Sequence, residues 1–468
     1  MARLVIVSNR VAVPGDRALK AGGLAVALKE ALEPEGGLWF GWSGNTMPKP
    51  AAEPKRVSVG RMDYATLDLS PEEHETFYAG FSNATLWPLF HYRLGLIDFR
   101  RAQLRGYLGV NARFARALVP LLKPDDIIWV HDYHFIPLAE MLRRAGVRNP
   151  IGFFLHIPFP APEVLSALPG HEQLTRALLA YDLVGFQTEI DRHAFERCVI
   201  EHGQGESAGP NHLVSDDRAA LTGVFPVGID VDEFARWAET GATADETQRL
   251  VESLSGRKLV IGVDRLDYSK GIPKRLEAFQ ELLDMWPEHR RHVTFLQVTP
   301  ISRGEVAQYR SLRRELEALA GRINGKYAEF DWNPIRYLNK PVQRQVLAGF
   351  YRHARIGLVT PVRDGMNLVA KEYVAAQNPE DPGVLVLSHL AGAAQELDAA
   401  LLVNPFDVEG VAEAIHHGLV MPPEERRDRW QRMRTVLGHT TQRDWSHRFL
   451  KALGEARATL RPPADAAA

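Results

Sequence analysis

Short unbroken apolar runs recur along the chain. Each is followed by a polar loop and then by apolar residues spaced for one face of a helix. Leu4-Val5-Ile6-Val7 opens the series and Ile356-Gly357-Leu358-Val359 stands late in it. Runs without polar alternation mark strands buried on both faces. The pattern predicts strands over 3–8, 36–45, 127–130, 151–155, 182–187 and 224–230, then 259–263, 293–298, 356–360, 384–387 and 401–403. Helices are predicted over 21–32, 72–80, 107–122, 137–145, 188–202, 273–285, 305–320, 408–418, 423–436 and 443–459. Segment 46–60 reads as loop, 81–93 as irregular and 203–218 as a polar surface insertion. Strand and helix alternate in both halves, so the fold class is α/β. The expected architecture is two Rossmann-like, doubly wound parallel-sheet domains facing across a cleft. A polar stretch near 235–245 places the domains at 1–234 and 235–445. Residues 446–468 form a last helix, expected to return to the first domain, and a tail.

Composition narrows the class. The chain has 468 residues, 45% hydrophobic and 24% charged, with a net charge of −2. That is ordinary for a globular protein with a large core. Nothing in the charge balance points to nucleic acid or an anionic membrane as partner. No run reaches the ~20 apolar residues of a membrane helix, and MARLVIVSNR is too short for a signal peptide. The expectation is a cytoplasmic protein. Cys198 is the single cysteine, so an internal disulfide is excluded, and its helical context reads as core filling.

In open α/β sheets ligands bind beyond the carboxyl ends of the strands. Arg10, Asp132, His156, Arg265, Arg303 and Asp364 all follow predicted strands, three from each half. Arg265 and Lys270 frame a strand–helix loop with two cations suited to a diphosphate. Gly22-Gly23 lets the backbone approach a ligand at a helix start. Gly365 reads as a sharp turn, with a helix opening near Met366 whose free N–H groups suit an oxygen-rich ligand. Neither GxGxxG nor GxxxxGK[ST] occurs, which counts against a dinucleotide dehydrogenase and a P-loop NTPase. Asp230-Val231-Asp232 fits a metal-binding DxD or a phosphatase nucleophile motif. Glu233 spoils the second, and a turn with a helix start is the favoured reading. His131 and His134 lack a third metal ligand at a convincing spacing. Trp39, Trp42 and Tyr78 fit core positions, while Trp87 beside Pro88 is the candidate for stacking on a sugar face.

Twelve stretches in order carry a resemblance: VSNR (7–10), AGGL (21–24), LWFGWSG (38–44), FSNATLWPLFHYR (81–93), IIWVHDYH (127–134), IGFFLHIPFP (151–160), DLVGFQT (182–188), PVGID (226–230), DRLDYSKG (264–271), SRG (302–304), GRINGKY (321–327) and TPVRDGMNLVAKEYVAAQ (360–377). The chain resembles the trehalose-6-phosphate synthases, retaining glycosyltransferases of GT-B architecture. The resemblance implies transfer of glucose from a nucleotide-glucose, UDP-glucose by default, to carbon 1 of glucose 6-phosphate with retention. It implies a first domain for the acceptor and a second for the nucleotide-sugar. By the same resemblance Gly22, Gly23, Arg265 and Lys270 hold the donor diphosphate, and Glu372 the ribose. Asp364 and the backbone of Gly365, Met366, Asn367, Leu368 and Val369 hold the donor glucose, with His156 on its other side. Arg10, Tyr78, Trp87, Asp132 and Arg303 hold the acceptor. Asp132, His156, Arg265, Lys270 and Asp364 form the implied catalytic set. Asp264 stands where relatives often have Glu. No cofactor and no metal are expected, because Arg265 and Lys270 can stabilise the leaving diphosphate. The expected partners are small-molecule substrates, with a homo-oligomer left open. Two rival readings share the fold: a pseudo-glycosyltransferase that couples cyclitols, and a silent sugar-phosphate sensor. The sensor should lack donor residues that are present here.

Overall fold

The computed structural model describes residues 2–14, 36–215, 218–301 and 307–460. Two compact units result, one formed by Met1–Pro226 with Gln442–Ala468 and one by Val227–Thr441.

The first unit is built on one ten-stranded sheet. Its strands are β1 (Leu4–Arg10), β2 (Gly37–Thr46), β3 (Lys55–Val59), β4 (Met62–Leu69), β5 (Ile127–His131), β6 (Ile151–Phe154), β7 (Leu183–Phe186), β8 (Glu206–Gly209), β9 (His212–Ser215) and β10 (Arg218–Val224). They lie in the order β3-β4-β2-β1-β5-β6-β7-β10-β9-β8. The seven central strands are parallel, and β3, β8 and β9 join antiparallel at the edges. The order reverses at β1, so β1 and β5 flank the switch point.

Three expectations change here. The loop over 46–60 contains strand β3, whose residues are all exposed. The insertion over 203–218 is the hairpin β8–β9, which extends the sheet through β10. β3 and β8 are exposed edge strands, and β9 buries only Leu213 of its four residues, so none has an apolar run to betray it. The irregular segment 81–93 is largely helical. Ser70 caps this region with a capping box to Glu73, and wide π-helical turns run His74–Leu86 into a short α-helix, Trp87–Phe90. Pro88 fits that helix because it occupies the first turn.

The last helix, Gln442–Leu460, belongs wholly to the first unit. Trp445, Phe449, Leu453 and Ala456 are buried. Trp445 and Phe449 pack on Trp129 (ring centroids 4.8 and 4.7 Å) and on Phe154 (5.1 and 5.9 Å). Apolar residues at helical spacing thus cover the middle strands of the sheet.

The second unit contains β11 (Lys258–Val263), β12 (Val293–Val298), β13 (Ile335–Leu338), β14 (Ile356–Val359), β15 (Val384–Ser388) and β16 (Leu401–Val403), all parallel, in the order β13-β12-β11-β14-β15-β16. This is the Rossmann order, with its switch point between β11 and β14. Leu259, Ile261 and Val263 enter one apolar core with helices Val231–Ala242, Arg344–His353 and Leu368–Ala376. Val260 enters a second core with helices Ile272–Met285, Ala307–Tyr327 and Val408–Val420. Alternate residues of one strand therefore feed two helical layers. Neither β13 nor helix Arg344–His353 was expected from the sequence.

The second unit starts at Val227 rather than at 235. The polar stretch 235–245 is not a linker, because Phe234 and Ala238 bury one face of the helix Val231–Ala242. Asp230 caps that helix by accepting from the Glu233 N–H (2.8 Å), as the turn-and-helix reading required. Entry to and exit from this unit lie side by side: a Cβ on Gly228 would stand 1.6 Å from the Thr440 carbonyl oxygen. The buried Lys371 ammonium donates to the Val227 carbonyl (2.8 Å) and to Glu396 (2.5 Å). No helix among the described residues is long and apolar enough to cross a membrane.

Candidate active site

In the first unit the expected residues gather at the carboxyl ends of β1, β5 and β6. Arg10 ends β1, and its guanidinium lies 5.3 Å from the Trp42 ring centre. Trp42 also meets Tyr78 (5.1 Å), and Tyr78 stacks on His134 (6.0 Å, 14° between planes). The π-helical turns set Tyr78 there, and such widened turns often serve functional positions.

Trp87 is 4% exposed, with its ring against His91 (4.2 Å) and Tyr133 (5.7 Å). The ring is thus a core aromatic of the first unit, the other reading that Trp87 admits.

Asp132 follows β5 with φ +72° and ψ 168°, a conformation that side chains rarely adopt. Its Oδ1 accepts from the His156 backbone N–H (3.2 Å), and its own N–H donates to the Phe154 carbonyl (2.8 Å). These bonds hold the strained residue at the end of the sheet. His131, which was weighed as a metal ligand, instead faces His156, with His131 Nδ1 and His156 Nε2 3.1 Å apart. Burial lowers the His156 imidazole from 6.5 to about 3. Burial first, and the neighbouring His156 second, push His131 well below its ordinary value. Both rings are neutral at physiological pH. Among the described residues no cluster of His, Cys, Asp and Glu could hold a metal ion.

The second unit assembles its residues around the β11/β14 switch point. Arg265 follows β11, is 42% exposed, and donates from Nε to Asp267 (3.3 Å). Buried Asp267 also accepts from the Ser269 N–H (3.0 Å) and hydroxyl (2.9 Å), which fixes the loop before Lys270. Lys270 is ion-paired with Asp364, each 13% exposed, so the cation and the carboxylate expected at different parts of the donor touch one another. Asn367 Nδ2 donates to the same Asp364 oxygen (3.0 Å).

Gly365 is not the left-handed residue of the turn. Asn367 is, with φ +79°. Close packing is instead relieved at Gly392, where a Cβ would stand 1.9 Å from the Gly365 carbonyl oxygen. The helix starts at Leu368 rather than Met366, and among the described residues no side chain caps it. Its first N–H groups are therefore left for a ligand.

Glu372 accepts from Arg344 Nη2 (3.0 Å). Burial raises the Glu372 carboxyl, and Arg344 pulls it back down. Arg344 is itself braced over Trp237 (5.0 Å) and Phe234 (5.6 Å). Beneath the site, fully buried Arg275 donates to Asp264 (2.7 Å), Thr360 (3.0 Å), Gln297 (3.1 Å) and the Lys270 carbonyl (3.2 Å). It ties the ends of β11, β12 and β14 together, and Asp264 is part of that brace. Neither Arg344 nor Arg275 was singled out from the sequence, because each partner lies elsewhere in the chain. Gly22, Gly23 and Arg303 fall outside the described residues, as does the predicted helix over 21–32.

Residues 3–455 match Glycosyltransferase family 20. The chain is similar to a trehalose-6-phosphate synthase of Sinorhizobium fredii, 50% identical over 460 residues, which covers 97% of this chain and 98% of the relative. It is similar to the UDP-forming α,α-trehalose-phosphate synthase of Burkholderia xenovorans solved in complex with glucose-6-phosphate. There the TM-score is 0.93 at 48% identity, covering 97% of this chain and 100% of that one. An E. coli structure, described as trehalose-6-phosphate bound with UDP-2-fluoro glucose, has a TM-score of 0.92 at 47% identity and covers 97% and 99%.

Proposed function

The chain belongs to glycosyltransferase family 20, and from that premise we propose that it is a UDP-forming α,α-trehalose-phosphate synthase. It transfers glucose from UDP-glucose to carbon 1 of glucose 6-phosphate, giving trehalose 6-phosphate and UDP with retained configuration. The observation that carries this reading is the second unit's switch point. There Arg265, Lys270 and the uncapped helix N-terminus offer cationic and N–H partners to a diphosphate and a sugar, and Glu372 offers an acceptor to a ribose.

The chemistry follows from these groups. The bond from glucose C1 to the diphosphate oxygen breaks, and Arg265 and Lys270 stabilise the charge growing on the leaving group. The acceptor hydroxyl attacks the same face, and its proton passes to the departing phosphate oxygen. No side-chain nucleophile takes part. Asp364 is occupied by Lys270 and Asn367, and Asp132 by the His156 N–H, so each serves to orient. In the first unit Arg10, Tyr78 and Asp132 hold glucose 6-phosphate, with Arg10 on its phosphate. Trp87 supports this group from the core. Gly22, Gly23 and Arg303 are assigned to the donor diphosphate and the acceptor by resemblance alone. We place the enzyme in the cytoplasm, and size-exclusion chromatography with light scattering tests whether it is a homo-oligomer.

The test is to incubate purified protein with glucose 6-phosphate and UDP-, GDP- or ADP-glucose in the presence of a chelator. Nucleoside diphosphate release and the product's anomeric configuration are followed by NMR. UDP release with an α,α product is expected. Absence of release from every donor overturns the reading, and a glucosyl adduct trapped on Asp364 or Asp132 overturns the mechanism.

A further inference from the structure

We infer that His131 is a positioning residue that fixes the tautomer of His156, so that His156 presents its Nδ1–H as a hydrogen-bond donor to a sugar hydroxyl. This rests on the reading given under Proposed function only for the identity of the sugar.

The argument begins with one shared proton. His131 Nδ1 and His156 Nε2 are 3.1 Å apart, and a hydrogen bond between two neutral imidazoles needs one N–H and one lone pair. Two arrangements satisfy it. If His156 Nε2 donates, His131 must carry its own proton on Nε2. That atom is buried, has no partner among the described residues, and sits in a fully buried ring packed at 4.5 Å from Trp129 and 6.1 Å from Trp445. An N–H would then be sealed among indoles with no acceptor. If His131 Nδ1 donates instead, only a lone pair is left in that dry place. Buried N–H groups without acceptors are the rarer and costlier defect. The second arrangement therefore holds, and it forces the His156 proton onto Nδ1.

His156 has a defined role for that proton. Its backbone N–H is bound by Asp132, and its ring is flanked by Phe154 (4.7 Å) and Trp445 (5.9 Å). These contacts leave the imidazole little freedom to turn. The residue itself is only half-buried. The ring therefore offers solvent or a ligand one neutral donor in a set direction. A neutral donor suits a neutral sugar hydroxyl. The last helix enters the argument through Trp445, which helps to keep the far side of His131 dry.

Nitrogen-15 NMR of the histidine rings in the wild-type, substrate-free protein tests this directly. His156 should show a protonated Nδ1 and an unprotonated Nε2; the reverse pattern overturns the inference. Kinetics supply the second arm. His131→Asn keeps an N–H donor near the Nδ1 position and should retain kcat/KM for the nucleotide-glucose within about threefold. His131→Leu lacks it and should lose tenfold or more, with His156 showing mixed tautomers. Equal activity of the two variants overturns the positioning role. If the wild type transfers glucose from no donor, the proposed reaction fails while the NMR result still stands or falls on its own.

Discussion

An ionised Glu372 is the stronger acceptor for the ribose hydroxyls proposed above, yet burial raises its pKa and Arg344 opposes the rise. Replacing Arg344 by Met should raise that pKa further. The donor KM should then climb as pH is lowered, starting at a higher pH than in the wild type, with the gap narrowing at high pH. A gap that ignores pH would assign Arg344 to packing alone. Glu372→Gln should mainly raise the KM for UDP-glucose, whereas Asp364→Ala should mainly lower kcat. Identical kinetic defects would refute that division of roles. The histidine pair has a stability signature too. Its folded pKa values lie below the unfolded 6.5, with His156 near 3, so the unfolded chain binds more protons in between. The pair's contribution to stability is present above about 6.5 and is lost as pH falls toward 3. Urea midpoints of the wild type should fall more steeply over that range than those of His156→Asn.

Elements were legible where burial forced an apolar run, and illegible where it did not. The inner strands β1, β5, β6, β11, β12 and β14 declare themselves, and the candidate residues of each unit follow them. The edge strands β3 and β8 have one neighbour each and exposed residues, and β9 between β8 and β10 is only four residues long, so all three read as loop. Arg344 was missed because its helix was missed. His131 was noticed only as a metal ligand to be set aside, because its partner His156 lies 25 residues away in sequence. The turn before helix Leu368–Ala376 holds a related lesson, because its special backbone falls on Asn367 and not on the nearby glycine. Asn367→Gly should keep that backbone, whereas Asn367→Ala should cost about 1–3 kcal/mol. Both lose the bond to Asp364, so thermal melts separate the backbone effect from the side-chain effect. Equal melting temperatures would show that the left-handed turn carries no strain.

At the scale of the molecule, the first unit is assembled from two pieces of chain that are far apart in sequence. Phe449 sits where a Cβ on Gly152 or Gly185 would stand 2.7 Å from its ring. Its truncation to Ala should destabilise the first unit by about 3–5 kcal/mol, read as a lower denaturant midpoint for its transition. An unchanged midpoint would show the last helix to be dispensable. The same arrangement sets a schedule for biosynthesis. The strands of the first sheet leave the ribosome early, but the helix that seals them is separated from them by the whole of Val227–Thr441. At about 5–20 residues per second, those 215 residues take roughly 10–40 s to make. During that interval Trp129 and Phe154 have no indole or phenyl ring of the last helix over them. Translation order and folding order thus run opposite ways for this unit: first out, last closed. Nascent chains arrested before Gln442 should be held by chaperones or degraded, even though every strand of the first sheet has already been made.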